Sequence, residues 1–147
     1  MSWLSDTVAG ELVGRPVPFV DADNKVFYDG CARGELWIQR CVDTGKFQFY
    51  PRPCSVYTGG EVEWVKCTGR GRVHSFTVIR RNFPETYFEP LTPYVVAIID
   101  VEEGVRMMSN VTSCALEEVK IGMKLQVFFG CVSESQKIFL PFWRPAD

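Results

Sequence analysis

The stretch Arg40 to Tyr57, RCVDTGKFQFYPRPCSVY, constrains this chain more than any other, because it has the outline of a zinc ribbon that lacks half of its ligands. Such a ribbon needs two knuckles, each a Cys-x-x-Cys turn on a short hairpin, so that four thiolates close a tetrahedron around the ion. Here each knuckle is expected to keep only its first cysteine. Cys41 is followed three residues later by Thr44 and then by Gly45, which suits a tight turn; Cys54 is followed three residues later by Tyr57. Thr and Tyr are poor zinc ligands, and two thiolates leave two coordination positions unfilled. The expectation is a ribbon that keeps its shape, with Cys41 and Cys54 as remnants, and holds no zinc and no other cofactor.

The flanks support a small module over residues 21–60. ELWIQR alternates into Cys41 and KFQFY alternates again after Gly45, which predicts a hairpin with the first knuckle at its tip. Upstream, Asp21 is a reasonable N-cap for a short helix over ADNKVFYDGCAR that stops at Gly34, although Gly30 weakens its interior. Residues 1–20 carry Gly10, Gly14, Pro16 and Pro18 and no sustained period, which predicts an extended arm. Its Trp3, Leu4 and Phe19 are too apolar for a solvated tail, so the arm is expected to pack on its own domain or on a partner.

Gly59 and Gly60 mark a hinge before a second domain over residues 61–147. EVEWVKC, RVHSFTVIRR, YVVAIIDV, GVRMMSNV, KLQVFFGCV and KIFLPFW are each of strand length and rich in branched or aromatic residues. Glu102, Glu103 and Gly104 make a tight turn between two of them, and TSCALEEVKIG offers one helical turn capped by Ser113. About five strands with a short helix between the third and fourth have the order of an OB-fold barrel. The fold class expected is therefore mainly β, a short helix and ribbon hairpins ahead of a five-stranded OB-fold.

Composition narrows function. Among 147 residues, 46% are hydrophobic and 14% aromatic, enough for a packed core, and the net charge is −2, which gives no global pull toward phosphate backbones or an anionic membrane. The start MSWLSDTVAGELVG lacks the basic flank and apolar core of a signal peptide, and no apolar run is long enough to span a bilayer. A cytoplasmic protein with reduced thiols is expected, with Cys67, Cys114 and Cys131 acting as small core hydrophobes.

Catalysis has little to stand on. The one histidine, His74, sits in a strand on the face of Phe76 and Val78, with no nucleophile elbow or Cys-His signature beside it. Glu102 and Glu103 read as solvated turn residues, since an acid and base pair needs a cleft. Positive charge is more suggestive: Arg70, Arg72, Arg80 and Arg81 flank one strand, and the long loop RRNFPETYFEPLTP adds Phe83, Tyr87 and Phe88. Arginines of this kind can hold phosphates bidentately while aromatics cover an adenine or an acyl chain; the alternative is that they are ordinary exposed strand ends.

Five motifs in order resemble one family, long catalogued as domain of unknown function 35, in which a rubredoxin-like zinc ribbon precedes an acyl-CoA-associated OB-fold. They are RGELWIQRC, YPRPC with a spacing one residue short, EWVKCTGRGRVHSFTVI, PYVVAIIDVEEGVRMMSN, and the pair IGMKLQVFF and LPFWRPA. The resemblance implies a non-catalytic accessory subunit of a thiolase-fold partner, a thiolase, acyltransferase or lipid-transfer-type aldolase acting on acyl-CoA, in steroid or lipid side-chain metabolism. Arg70, Arg72, Arg80, Arg81, Phe83, Tyr87 and Phe88 are the candidate acyl-CoA contacts, and zinc is not carried over. The alternative is an OB-fold that binds single-stranded nucleic acid, against which the acidic pI near 5.5 counts.

Overall fold

The computed structural model describes residues 15–147, so most of the expected N-terminal arm, including Trp3 and Leu4, lies outside the described residues. Residues 15–20 run without regular structure to a turn in which Asp21 and Asn24 bond each other reciprocally: Asn24 Oδ1 accepts the Asp21 N–H at 2.8 Å and Asp21 Oδ1 accepts the Asn24 N–H at 3.0 Å. Helix α1 (Lys25–Ala32) follows and ends ahead of Gly34, whose φ of +79° reverses the chain. Phe27, Gly30 and Cys31 form its buried face.

Three short strands make the ribbon sheet: β1 (Trp37–Cys41), β2 (Phe47–Gln48) and β3 (Val62–Lys66), in the order β2-β1-β3 and all antiparallel. The strand EVEWVKC thus completes the ribbon instead of opening the barrel. β3 pairs with β1 from Trp37↔Lys66 to Cys41↔Val62, because the turn at Gly59 and Gly60 folds the chain back onto β1 instead of acting as a hinge.

The barrel is closed by five strands, β4 (Arg70–Ile79), β5 (Tyr94–Val101), β6 (Arg106–Val111), β7 (Lys124–Ser133) and β8 (Ile138–Pro145), in the order β4-β5-β6-β8-β7. A single 3₁₀ turn (Leu116–Glu118) sits between the third and fourth of these, the place expected for an OB-fold helix. Ala115, not Ser113, caps it: the Glu118 carboxylate accepts the Ala115 N–H at 3.3 Å, and Ser113 adopts a φ of +65°. Strict alternation on β5 buries Val95, Ala97, Ile99 and Val101 against Met107, Leu125 and the fully buried Trp143. Each of the buried valine, leucine, isoleucine and methionine side chains contributes about 1.5–3 kcal/mol of transfer free energy. α1 packs on β8 and on the ribbon, so its Phe27 and Cys31 share one core with the barrel.

All six cysteines are free; Cys67 and Cys131 are buried and Cys114 is half-buried, as small core hydrophobes would be. Burial and the carboxylate of Glu103 push the Cys67 thiol up to about 12. No helix among the described residues is long and apolar enough to cross a membrane.

Candidate functional site

The ribbon carries two knuckles that are near copies of each other, Cys41-Val42-Asp43-Thr44-Gly45 and Ser55-Val56-Tyr57-Thr58-Gly59. In each, the glycine N–H returns to the carbonyl of the first residue, Gly45 to Cys41 at 2.8 Å and Gly59 to Ser55 at 2.9 Å. Each first residue gives its own N–H to the carbonyl five positions on, Cys41 to Lys46 at 2.8 Å and Ser55 to Gly60 at 2.9 Å. The glycines have φ of +73° and +75°, a left-handed conformation that side chains resist. The second knuckle therefore starts at Ser55, one residue after Cys54, which corrects the expected placement. Pro51-Arg52-Pro53 delivers the extra residue, Cys54 is exposed, and Tyr57 turns outward to donate its hydroxyl to the Phe47 carbonyl at 2.7 Å.

The four positions that would surround a metal are thus Cys41, Thr44, Ser55 and Thr58. Their protons can be accounted for. Thr58 donates to Asp43 Oδ2 at 2.9 Å while accepting the Gly60 N–H, and its oxygen lies 3.8 Å from the Cys41 sulfur. Ser55 accepts the N–H groups of Tyr57 and Thr58, and Thr44 accepts that of Lys46, which leaves the protons of both hydroxyls for the sulfur. Cys41 is fully buried, yet the hydroxyls of Ser55 and Thr44 hold its thiol down at about 6. One sulfur and three hydroxyls do not fit zinc, which takes sulfur, imidazole or carboxylate ligands. Among the described residues no group of three or more His, Cys, Asp or Glu could hold a metal.

The candidate acyl-CoA residues fall into two groups at opposite ends of β4, roughly 30 Å apart at about 3.3 Å per residue. Arg70 is engaged by Glu102 (Nη2 to Oε2, 3.1 Å), and Arg72 Nη1 donates to the Gly122 carbonyl at 3.1 Å. At the other end Arg80 and Arg81 are exposed and make no ion pair among the described residues. There Phe83, 78% exposed, borders an open cavity of about 510 Å³ with Arg81, Pro84, Tyr94 and Val96. Tyr87 and Phe88 face elsewhere. They stack edge to face at 5.1 Å, and the Arg15 guanidinium lies between the Phe88 and Phe142 rings at 5.3 and 5.4 Å, clipping the loop to the barrel. Burial lowers the pKa of Arg15, with Tyr87 opposing that fall.

His74 does not share the face of Phe76 and Val78. It is the extra residue of a β-bulge between Val73 and Ser75, so its ring reaches outward to Asp100 (Nδ1 to Oδ2, 3.1 Å), which also holds Arg106 at 3.1 Å. Glu102 and Glu103 are not idle turn residues either. Glu102 accepts the Thr68 hydroxyl at 2.5 Å and Glu103 accepts the Thr68 N–H at 3.0 Å, fastening the crossover from ribbon to barrel.

Two features were not singled out from the sequence. The outer face of β4, β5 and β6 carries an apolar stripe bordered by Ser75, Thr77 and Asn110: Ile79, Val96 and Ile98 are half-buried and Met108 is 59% exposed. Ser75↔Ile98 and Ile98↔Met108 register these rows side by side. A cavity of about 280 Å³ also lies between α1, the ribbon and the barrel, lined by Phe27, Phe49, Met107 and Phe142 with Arg15 at its edge. The available signal was the near-continuous apolar run YVVAIIDV, which leaves Val96 and Ile98 on the face of β5 opposite the buried one.

Comparison with known proteins is consistent with this layout. Residues 64–130 match the family model "ChsH2, C-terminal OB-fold domain" and residues 29–56 match "ChsH2, rubredoxin-like zinc ribbon domain". A Thermomonospora curvata protein, "Probable enoyl-CoA hydratase alpha subunit", is 31% identical over 134 residues, 90% of this chain but 40% of its own length. A Methanothermobacter thermautotrophicus "DUF35 domain-containing scaffold protein" is 40% identical over 75 residues, 51% of this chain and 55% of its own length. This chain therefore spans only about half the length of those relatives or less. A solved structure described as "Ltp2-ChsH2(DUF35) aldolase" superposes with a TM-score of 0.76 at 30% identity, covering 89% of this chain and 100% of that one.

Proposed function

Because this chain belongs to the domain-of-unknown-function-35 family, the ChsH2 type in which a rubredoxin-like zinc ribbon precedes an OB-fold, we propose that it is a non-catalytic accessory subunit docking a thiolase-fold partner that acts on acyl-CoA substrates. The observation that carries this reading is the apolar stripe on the outer face of β4, β5 and β6, with Ile79, Val96, Ile98 and Met108 in adjacent rows. Contiguous apolar surface of that kind is costly on a free monomer and is what a partner covers. The likeness to the "Ltp2-ChsH2(DUF35) aldolase" chain supports an aldolase as that partner, and the hydratase-subunit relative supports an acyl-CoA thioester as its substrate. Steroid or lipid side chains are the acyl groups we assign to it.

In this reading the reacting groups belong to the partner. His74, Asp100 and Arg106 form an exposed charge cluster without an adjacent nucleophile, which suits a surface contact better than chemistry. The ribbon serves without zinc, and six free thiols suit a reducing, cytoplasmic setting. Coenzyme A would lie at the Arg80, Arg81 and Phe83 end of β4, where the guanidinium groups have no carboxylate to leave.

The test is co-purification of a tagged copy from its native host, with the bound proteins identified by mass spectrometry. A stoichiometric thiolase-fold protein, lost when Met108 and Ile98 are both replaced by Asp, is the expected result. Recovery of the chain alone, or with single-stranded nucleic acid, would overturn the assignment.

A further inference from the structure

The family to which this ribbon belongs is named for zinc, yet the four positions that face one another at its tip are Cys41, Thr44, Ser55 and Thr58. The backbone of both knuckles is built as a metal-binding ribbon would need it. Two turns of identical hydrogen-bond pattern are each closed by a left-handed glycine, and the side chains of Thr44, Ser55 and Thr58 meet the Cys41 sulfur. What has changed is the chemistry of that centre. Thr58 gives its proton to Asp43, while Ser55 and Thr44 take backbone N–H donors on their oxygens and turn their protons to the sulfur. A cluster in this state offers an ion one sulfur and three hydroxyl oxygens that are already engaged in hydrogen bonds, and those bonds offset what burial of the polar groups would cost.

We propose that Cys41, Thr44, Ser55 and Thr58 are a converted metal centre, in which a hydrogen-bonded brace of one cysteine sulfur and three hydroxyls has replaced the ion as the link between the two knuckles. The brace depends on neighbours that a tetrathiolate site has no need of. Asp43 accepts the Thr58 hydroxyl hydrogen bond and lies against Gly60, where an added Cβ would sit 2.6 Å from its carboxylate, so the second knuckle is closed against the first by side chains. Behind them Gln48 reaches Val56 N–H at 2.9 Å and the Cys54 carbonyl at 3.1 Å, which sets the second knuckle's position from the sheet. Because the turns retain their metal-binding backbone, the conversion is reversible in sequence: three substitutions, Thr44→Cys, Ser55→Cys and Thr58→Cys, restore four thiolates at one point. Folding of the ribbon is then coupled to metal, as it is in a true zinc site.

The experiment uses the full chain. The wild-type protein, expressed in zinc-supplemented medium, is expected to contain no stoichiometric zinc by elemental analysis and to melt at the same temperature with and without EDTA. The triple cysteine variant is expected to bind one equivalent of cobalt(II), with the visible absorption of a tetrahedral thiolate complex, and to lose stability when the metal is chelated. A wild-type chain that carries one zinc and melts lower in EDTA would overturn the proposal. So would a triple variant that keeps its circular dichroism spectrum and takes up no cobalt. Should the triple variant not fold, Cys41→Ser decides the matter. A hydroxyl at position 41 keeps the brace, so this variant is expected to melt within a few degrees of wild type, EDTA or not. Collapse of the ribbon in Cys41→Ser, with loss of bound zinc, would refute the brace.

Discussion

Gln39 and Gln48 sit directly opposite each other on β1 and β2, both almost fully buried, with Gln48 Nε2 donating to Gln39 Oε1 at 2.9 Å. Between them they hold the chain that leads into the second knuckle. Gln39 bonds both backbone groups of Arg52, donating to its carbonyl at 2.7 Å and accepting its N–H at 2.8 Å, and Gln48 holds Cys54 and Val56. Two side-chain amides thus do for a proline-rich segment what a strand ladder cannot, since Pro51 and Pro53 have no N–H to offer. Replacing Gln48 by Leu leaves the Val56 N–H and the Cys54 carbonyl unpaired. Cys54 and Val56 are exposed residues and their bonds to Gln48 only part-buried, so at about 1 kcal/mol for each orphan a loss of about 2 kcal/mol is expected in urea unfolding followed by tryptophan fluorescence. A loss below about 0.5 kcal/mol would mean that water replaces the amide and that the network is incidental.

Gly30 fixes the seat of α1 on the ribbon. A Cβ there would lie 2.5 Å from Trp37 Cδ1 and 3.0 Å from the Glu35 carbonyl oxygen, and the indole cannot swing away without giving up its hydrogen bond to Glu35 at 3.2 Å. Helix propensity alone favours Gly30→Ala by about 1 kcal/mol. Overpacking at a close contact costs about 1–3 kcal/mol and is larger, so the substitution is expected to destabilise by about 1 kcal/mol net. Thermal melting checks the sign, and a raised melting temperature would show that propensity prevails.

These two contacts also show where sequence reading succeeds and where it stops. The barrel strands were legible because runs such as YVVAIIDV and KLQVFFGCV are of strand length and rich in branched and aromatic residues, which the buried faces of β5 and β7 require. The second knuckle was misplaced by one residue because the reading followed cysteine, whereas the backbone follows glycine. The repeat of TG at Thr44-Gly45 and Thr58-Gly59 was the better signal. The strand EVEWVKC was assigned to the barrel since composition cannot say which edge a strand joins; its pairing with β1 depends on a turn 14 residues further along than the first. His74 was placed on the wrong face by a bulge, which inverts alternation locally and leaves no mark in residue type.

The separation of the arginines leads to a binding prediction. Arg70 and Arg72 are already engaged, by a carboxylate and a backbone carbonyl, and would have to give up those bonds to take a phosphate. Arg80 and Arg81 stand exposed at the end of β4, and Arg81 borders the same cavity as Phe83. Replacing both Arg80 and Arg81 by Ala is expected to weaken coenzyme A thioester binding by about tenfold or more, corresponding to about 1.4 kcal/mol or more. Arg70→Ala is expected to change it by less than about twofold, within the range of an exposed pair. Calorimetric titration with acetyl-CoA separates the two ends of β4, and the reverse order would move the nucleotide to the Arg70 end.

Glu35 gives the fold a defined weakness to acid. Its carboxylate accepts Lys66 Nζ at 2.9 Å, Arg33 Nε at 2.9 Å and Trp37 Nε1 at 3.2 Å, joining the end of α1 to both β1 and β3. Those donors, Lys66 foremost, hold the group at about 2, well below the usual 4.5. The folded protein therefore keeps this proton off at acidities where the unfolded chain has taken it up. Stability from Glu35 is fully present above about pH 4.5 and drains away as pH falls toward 2. Glu35→Gln removes the titration. The urea midpoint of the variant is expected to lie below that of wild type at neutral pH and to approach it steadily as pH falls through this window. Two curves that stay parallel down to about pH 2 would show that the glutamate acts by its shape and hydrogen bonds alone, with no contribution from its charge.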